Sequence, residues 1–298
     1  MTGRNWLSTA ERGSILGIRF MVALCGFVGR PAARFVLKFV ALYYLLFATQ
    51  ARRASRSFLR RFHARVTLSM IYRHILNFAE VALDRVFLLR GQFELFEVSS
   101  NGFEHMRKLR EEKRGAILLG AHLGSFEAMR LCAGKREVPI NIITYRGNAR
   151  MLNSVLAAVS PGAQSRFIEL TPGDVNSILR VKELIEAGEM VAILGDRAEL
   201  DAKAVAVDFF GAKARFPSGL FVLAATLRCP VYLTFSIYRS PNRYEFFCES
   251  FAEQIELPRG DREAALLDTV QRYAKRLEHY CRMEPGNWFN FYDFWNES

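Results

Sequence analysis

GAILLGAHLGSFEAMR, residues 115–130, turns from an apolar run into a helical pattern within a few positions. Ala116–Leu119 follow the charged stretch RKLREEKRG and predict a short buried strand. Ser125 predicts an N-cap, Phe126, Met129 and Leu131 follow at helical spacing, and Gly134 predicts the helix end. His122 then stands just past the strand's carboxyl end and Glu127 in the first helical turn. On one continuous helix, residues five apart would diverge by about 140°, so a His–Glu dyad needs the bend that this strand-loop-helix corner supplies. The carboxylate would fix one imidazole nitrogen and leave the other to take a proton from an alcohol or amine attacking a thioester, worth about 10² to 10⁴ in rate. The first N–H groups of the helix, at Gly124, Ser125 and Phe126, are expected to face the carbonyl oxygen as charge develops on it. Ser125 reads as a cap and not a nucleophile, because no Gly-x-Ser-x-Gly elbow surrounds it. On spacing alone, a satisfied structural histidine and a glutamate complementing the helix dipole remain the commoner outcome.

Outward from this corner, apolar runs and helical periods alternate. Strands are predicted at 138–145, 166–170 and 190–194, with helices near 148–158 and over 174–187, the latter capped by Asp174 and closed by Gly188. A small helix at 220–228, a strand pair at 230–239 and 243–249, and a long helix at 261–281 complete the chain. The pattern predicts an α/β fold with a mainly parallel sheet flanked by helices, preceded by N-terminal amphipathic helices. Ligands gather at the carboxyl ends of such strands, where His122, Tyr145, Arg146, Asp196 and Arg197 all fall. Arg146 and Arg197 suit a phosphate of the acceptor or of a phosphopantetheine arm, with a structural carboxylate pair as the alternative. Asp196 alternatively holds Arg197 or a loop N–H.

The His-x4-Glu of GAHLGSFE resembles the His-x4-Asp/Glu motif of the lysophospholipid acyltransferase superfamily, in particular the branch of the bacterial lipid A late acyltransferases. Further blocks stand in family order: NIITYRGNAR (141–150), MVAILGDRAE (190–199) and VDFFGAKARFPSGLFVLAATLRCPVYLTF (207–235). The resemblance covers nearly the whole chain. It implies transfer of a fatty acyl chain from acyl carrier protein or coenzyme A, as co-substrate and with no other cofactor, to a hydroxyl or amine of a lipid. His122 would be the base and Glu127 its orienter. The resemblance further implies that the block holding Phe210, Gly211 and Arg215 lines the acyl and acceptor site, and that Asp196–Arg197 match an Asp with a polar partner. The glycerolipid signature Phe-Pro-Glu-Gly is replaced by Phe216-Pro217-Ser218-Gly219, which argues against a glycerol-phosphate acceptor. The ending NWFNFYDFW (287–295) departs from the lipid A enzymes and resembles a sub-branch associated with aryl-polyene and pigment-lipid pathways. Its aromatic residues are expected to close the core or line an acyl tunnel.

Charge is distributed unevenly. Of the net +11, all is carried by residues 1–65, which hold twelve Arg or Lys and one acid, Glu11. The same region carries apolar runs at 20–28 and 39–49, neither long enough to span a bilayer, and no signal-peptide pattern. Residues 51–66 place Ala51, Ala54, Phe58, Leu59, Phe62 and Val66 on one helical face and Arg52, Arg53, Arg56 and Arg60 on the other. Such a helix is expected to lie on an anionic membrane surface, or else to pack on the catalytic domain with its arginines solvated. The chain therefore divides into a docking segment, 1–65, and a catalytic domain, 66–298. Lys213 and Arg215 predict a basic loop at the site mouth, facing an acidic carrier protein or phospholipid headgroups. A nucleic-acid partner is not expected, since no zinc-finger, RRM or helix-turn-helix signature is present.

The five cysteines, Cys25, Cys132, Cys229, Cys248 and Cys281, are odd in number and widely spaced, as for buried thiols in a reducing compartment. No metal is expected, for no Cys-x-x-Cys or His cluster occurs. His63, His74, His105 and His279 carry no partner pattern. The expectation is a peripheral acyltransferase on the cytoplasmic face of the bacterial inner membrane; the rival is an inactive, membrane-docked protein that holds or hands over a lipid.

Overall fold

The computed structural model describes residues 23, 26, 27, 29–135, 138–145, 167–170, 175–197 and 203–295. The helix expected near 148–158, the Asp174 cap, Arg146, Cys25 and the side chains of Glu127, Cys132 and Tyr145 lie outside the described residues.

A seven-stranded sheet is formed by β1 (Glu97–Asn101), β2 (Ala116–Gly120), β3 (Ile140–Tyr145), β4 (Phe167–Leu170), β5 (Met190–Leu194), β8 (Val231–Arg239) and β9 (Arg243–Ala252), in the order β1-β9-β8-β2-β5-β3-β4. Only the β8–β9 hairpin pairs antiparallel; the other neighbours are parallel. The central strands are buried on both faces, which explains their continuous apolar runs. On one face Ile117, Leu119, Val191, Ile193, Val231 and Leu233 join Val270, Tyr273, Ala274 and Leu277 of α8 (Arg262–Met283). On the other, Ala116, Leu118, Met190 and Ala192 join Met106 and Leu109 of α4 (Phe103–Glu111) and Ala133 of α5 (Phe126–Lys135). The α5 helix runs on through Gly134 to Lys135, so that glycine does not end it. The fold also contains α6 (Val175–Glu186) and α7 (Gly219–Leu227), and a separate hairpin of β6 (Ala204–Phe209) and β7 (Ala212–Pro217).

β1 is not legible from periodicity, whereas β7 alternates buried Ala214 and Phe216 with exposed Lys213 and Arg215. β1 is the polar EVSSN at a sheet edge, held by parallel pairing to β9. Lys213 and Arg215, expected in a loop, stand on β7, with Lys213 3.1 Å from Asp208 across the hairpin.

Three helices form the N-terminal layer: α1 (Gly29–Phe47), α2 (Thr49–Leu59) and α3 (Leu68–Leu89). Ala33, Leu37, Ala41 and Leu45 recur every fourth residue of α1 and are buried. Two cations of the basic N-terminal segment are neutralised by α3: Arg30 lies 2.7 Å from the buried Asp84 and Arg34 2.6 Å from the buried Glu80. Hydroxyls of Tyr244 and Tyr238 donate to the same two carboxylates, at 2.8 and 2.7 Å, so each buried charge has several partners. α2 turns away from α1 by 91°, and Arg52 donates to the Leu45 and Leu46 carbonyls at the end of α1, at 2.9 and 3.2 Å. The α2 face expected to enter a membrane is buried in the protein: Ala54, Phe58 and Leu59 are enclosed, with Phe62 and Val66 packed nearby. A cluster of exposed apolar side chains lies on α1, where Phe35, Phe39, Tyr43, Leu46 and Phe47 are each more than half exposed.

Candidate active site

The corner between β2 and α5 forms as its sequence predicts. Ser125 caps the helix, its Oγ accepting from Ala128 N at 3.0 Å. The turn depends on Gly124, which has φ +59°; a Cβ there would stand 2.2 Å from the Ser236 carbonyl oxygen. His122 occupies the loop, and its side chain keeps 29% of its surface exposed.

The carboxylate that meets this imidazole at Nδ1 is Asp196, just beyond β5. His122 Nδ1 lies 2.7 Å from Asp196 Oδ1, and His122 N donates to Asp196 Oδ2 at 3.0 Å. β2 and β5 are adjacent and parallel, so both side chains leave the sheet at the same end. The Gly120 carbonyl fixes that junction by accepting from Gly195 N at 2.9 Å and the Tyr273 hydroxyl at 2.8 Å. Asp196, completely buried, also accepts from the indole Nε1 of Trp288 at 2.8 Å. Among the described side chains, Asp196 is the carboxylate at Nδ1, and the reading of Asp196 as a holder of a loop N–H is met by His122 N.

The tautomer follows from the acceptor: a carboxylate at Nδ1 places the proton there and leaves Nε2 with a lone pair for substrate. Burial lowers the His122 pKa below its ordinary value, and the charge of Arg197 lowers it further against the opposing effect of Asp196. Burial works to raise the Asp196 pKa, but the His122 ring, the Arg197 charge and the Trp288 N–H outweigh it and hold the carboxyl below its usual range. The pair is thus neutral imidazole and ionised carboxylate at neutral pH, the state a general base requires.

A family model for bacterial lipid A biosynthesis acyltransferases matches residues 4–297. The chain belongs to that family. Family membership identifies it as an enzyme that transfers acyl groups, with a lipid as acceptor. No curated protein matches the chain.

The C-terminal segment of this lipid A acyltransferase family member completes the site. Leu123 and Trp288 form an antiparallel bridge, Phe289 N donates to the His122 carbonyl at 2.8 Å, and Gly124 N donates to the Asn287 carbonyl at 2.8 Å. Asn287 is tied to β8 by its amide, which accepts from Tyr238 N at 2.6 Å and donates to the Tyr238 carbonyl at 3.0 Å. Arg197 Nη2 donates to the Phe289 carbonyl at 2.8 Å, giving it a structural partner, and burial lowers its pKa. The expected oxyanion role of the first helical N–H groups does not survive at two positions. Gly124 N is used by Asn287, and Ser125 N donates to Ser236 Oγ at 3.2 Å.

The remaining assignments separate. Tyr145 ends β3 beside β5, in the expected place for its backbone. Phe210, at φ +52°, is buried among Phe58, Phe62 and Phe209, so it fills the aromatic core instead of facing open space. Gly211 and Arg215 are exposed on the β6–β7 hairpin. Trp288, Phe289, Tyr292 and Phe294 are buried, as the core reading of the aromatic ending required. Sequence reasoning missed His74: its Nε2 lies 2.9 Å from the Trp288 carbonyl and its Nδ1 2.9 Å from Ser55 Oγ. Its only local signal was an unremarkable position in a long apolar helix. Among the described residues, no group of His, Cys, Asp and Glu side chains could hold a metal ion.

Proposed function

We propose that this enzyme acylates a lipid acceptor with a fatty chain from an acyl thioester, His122 acting as general base and Asp196 holding its tautomer. The contact that carries this reading is the 2.7 Å His122–Asp196 pair with its partly exposed ring. His122 Nε2 takes the proton of the attacking hydroxyl or amine as the new bond forms to the acyl carbon. When the tetrahedral intermediate collapses, the carbon–sulfur bond breaks and His122 returns the proton to the departing thiolate. Asp196 offsets the positive charge on the imidazolium meanwhile.

The acceptor is read as lipid A-like or as a pigment lipid of the aryl-polyene kind. The family match supports the former and the departing C-terminal sequence the latter. Docking on an anionic membrane is supported by the exposed aromatic face of α1. No single described helix is long and apolar enough to cross a bilayer, although α1 and α2 pass that test as a bent pair. The buried free thiols Cys229, Cys248 and Cys281 accord with the cytoplasmic face of the inner membrane, where thioester donors are made.

Purified enzyme with acyl carrier protein or coenzyme A thioesters and extracted lipid is expected to release thiol and form an acylated lipid, detected by mass spectrometry. His122→Ala is expected to abolish turnover, and Asp196→Asn to lower kcat by about 10² to 10⁴. Undiminished thiol release by His122→Ala would refute the mechanism. No thioester consumption by wild type with any of these lipids would favour a lipid-holding protein.

A further inference from the structure

We propose that Trp288 is a positioning residue for the base: its indole N–H fixes the Asp196 carboxylate so that Oδ1 faces the His122 ring. The inference rests on the general-base reading of His122 but concerns a contact that reading does not need. Asp196 Oδ2 takes two donors, His122 N at 3.0 Å and Trp288 Nε1 at 2.8 Å, whereas Oδ1 takes His122 Nδ1. A carboxylate with one anchored oxygen can still turn about its Cβ–Cγ bond. Two donors on Oδ2 from different directions leave Oδ1 committed to the ring.

The indole is itself held from several sides. Trp288 has no exposed surface, and its ring meets Phe58, Phe209 and Phe294 at centroid distances of 4.9, 5.4 and 4.9 Å. Its carbonyl faces His74 Nε2 at 2.9 Å, and Ser55 of α2 holds the other nitrogen of that ring. The next residue binds the His122 carbonyl. One short segment therefore grips both members of the dyad, through the main chain at His122 and through a side chain at Asp196. A buried indole N–H needs an acceptor, but a neutral carbonyl would serve that need. Donation to the carboxylate also draws negative charge away from the oxygen facing His122. Among the described residues, the titratable or charged groups that act on Asp196 are His122, Arg197, Tyr273 and Cys281, and Trp288 is an uncharged donor among them.

The test is Trp288→Phe, together with 3-benzothienylalanine placed at position 288, which keeps the bicyclic shape and lacks the N–H. Losing the donor concentrates negative charge on Asp196, which raises the His122 pKa. It also leaves Oδ2 held only by His122 N, so that Oδ1 is less fixed against the ring and turnover falls. The His122 titration, followed by histidine ring NMR, is expected to move to higher pH in both variants. Turnover is expected to fall by about tenfold or more with KM little changed, its acid-side inflection moving up in parallel. NMR reads the contact even if no substrate is turned over, which separates failure of this inference from failure of the acyl-transfer reading. A folded benzothienylalanine protein with an unmoved His122 titration and wild-type pH profile would overturn the proposal. So would a shift confined to Trp288→Phe, because that would trace it to the cavity.

Discussion

At residue scale, the site depends on a turn that only one side chain permits. Gly124 combines φ +59° with a position where a Cβ would lie 2.2 Å from the Ser236 carbonyl oxygen. Left-handed backbone alone costs an ordinary residue about 1–2 kcal/mol, and this contact adds to it. Gly124→Ala is therefore expected to lower stability by more than about 2 kcal/mol in urea unfolding and to cut turnover by displacing the loop that carries His122. Wild-type stability and activity in that variant would show the turn to be dispensable. His122 itself was legible as a candidate, because the strand-loop-helix corner and its resemblance to a His-x4-Glu motif together outweigh the commoner structural histidine. Its partner was not: Asp196 is 74 positions away, and nothing in local spacing distinguishes it from a carboxylate pairing with Arg197.

At the scale of elements, α3 supports the C-terminal segment through a buried histidine. Burial lowers the His74 pKa from 6.5 to about 4, against the opposing effect of its bond to the Trp288 carbonyl. The unfolded chain therefore binds a proton between pH 6.5 and 4 that the native protein refuses, and stability must fall as pH drops through that window. Full expression of the shift is on the order of 3 kcal/mol. Urea unfolding from pH 7 to 4 is expected to show this loss in wild type and a flatter dependence in His74→Gln. Parallel curves for the two proteins would mean that His74 titrates normally. The strands and helices around the site follow from apolar runs and helical periods, since each pattern reports a backbone geometry directly. β1 escapes such a reading because pairing to β9, not its own apolarity, makes the polar EVSSN a strand.

For the whole molecule, the excess positive charge of residues 1–65 and the exposed aromatic face of α1 bear on where the enzyme works. Phe35, Phe39 and Phe47 are more than half exposed, so replacing all three by Ser should leave thermal unfolding almost unchanged. Each buried aromatic side chain contributes about 1.5–3 kcal/mol, and the triple variant is expected to lose most of its flotation with anionic vesicles. Flotation equal to wild type would exclude α1 as the docking face. The amphipathic face of residues 51–66 illustrates why sequence could not choose this surface: a helix with one apolar side satisfies a membrane and a protein core equally well. By itself, the sequence determined the α/β alternation and the corner carrying His122, both set by local periodicity and turn chemistry. Tertiary structure alone decided that Asp196 meets His122, that Trp288 steadies the pair, and that α2 buries its apolar face while α1 exposes one. Those outcomes depend on which strands lie side by side and which elements pack together, and long-range packing leaves no periodic mark on the chain.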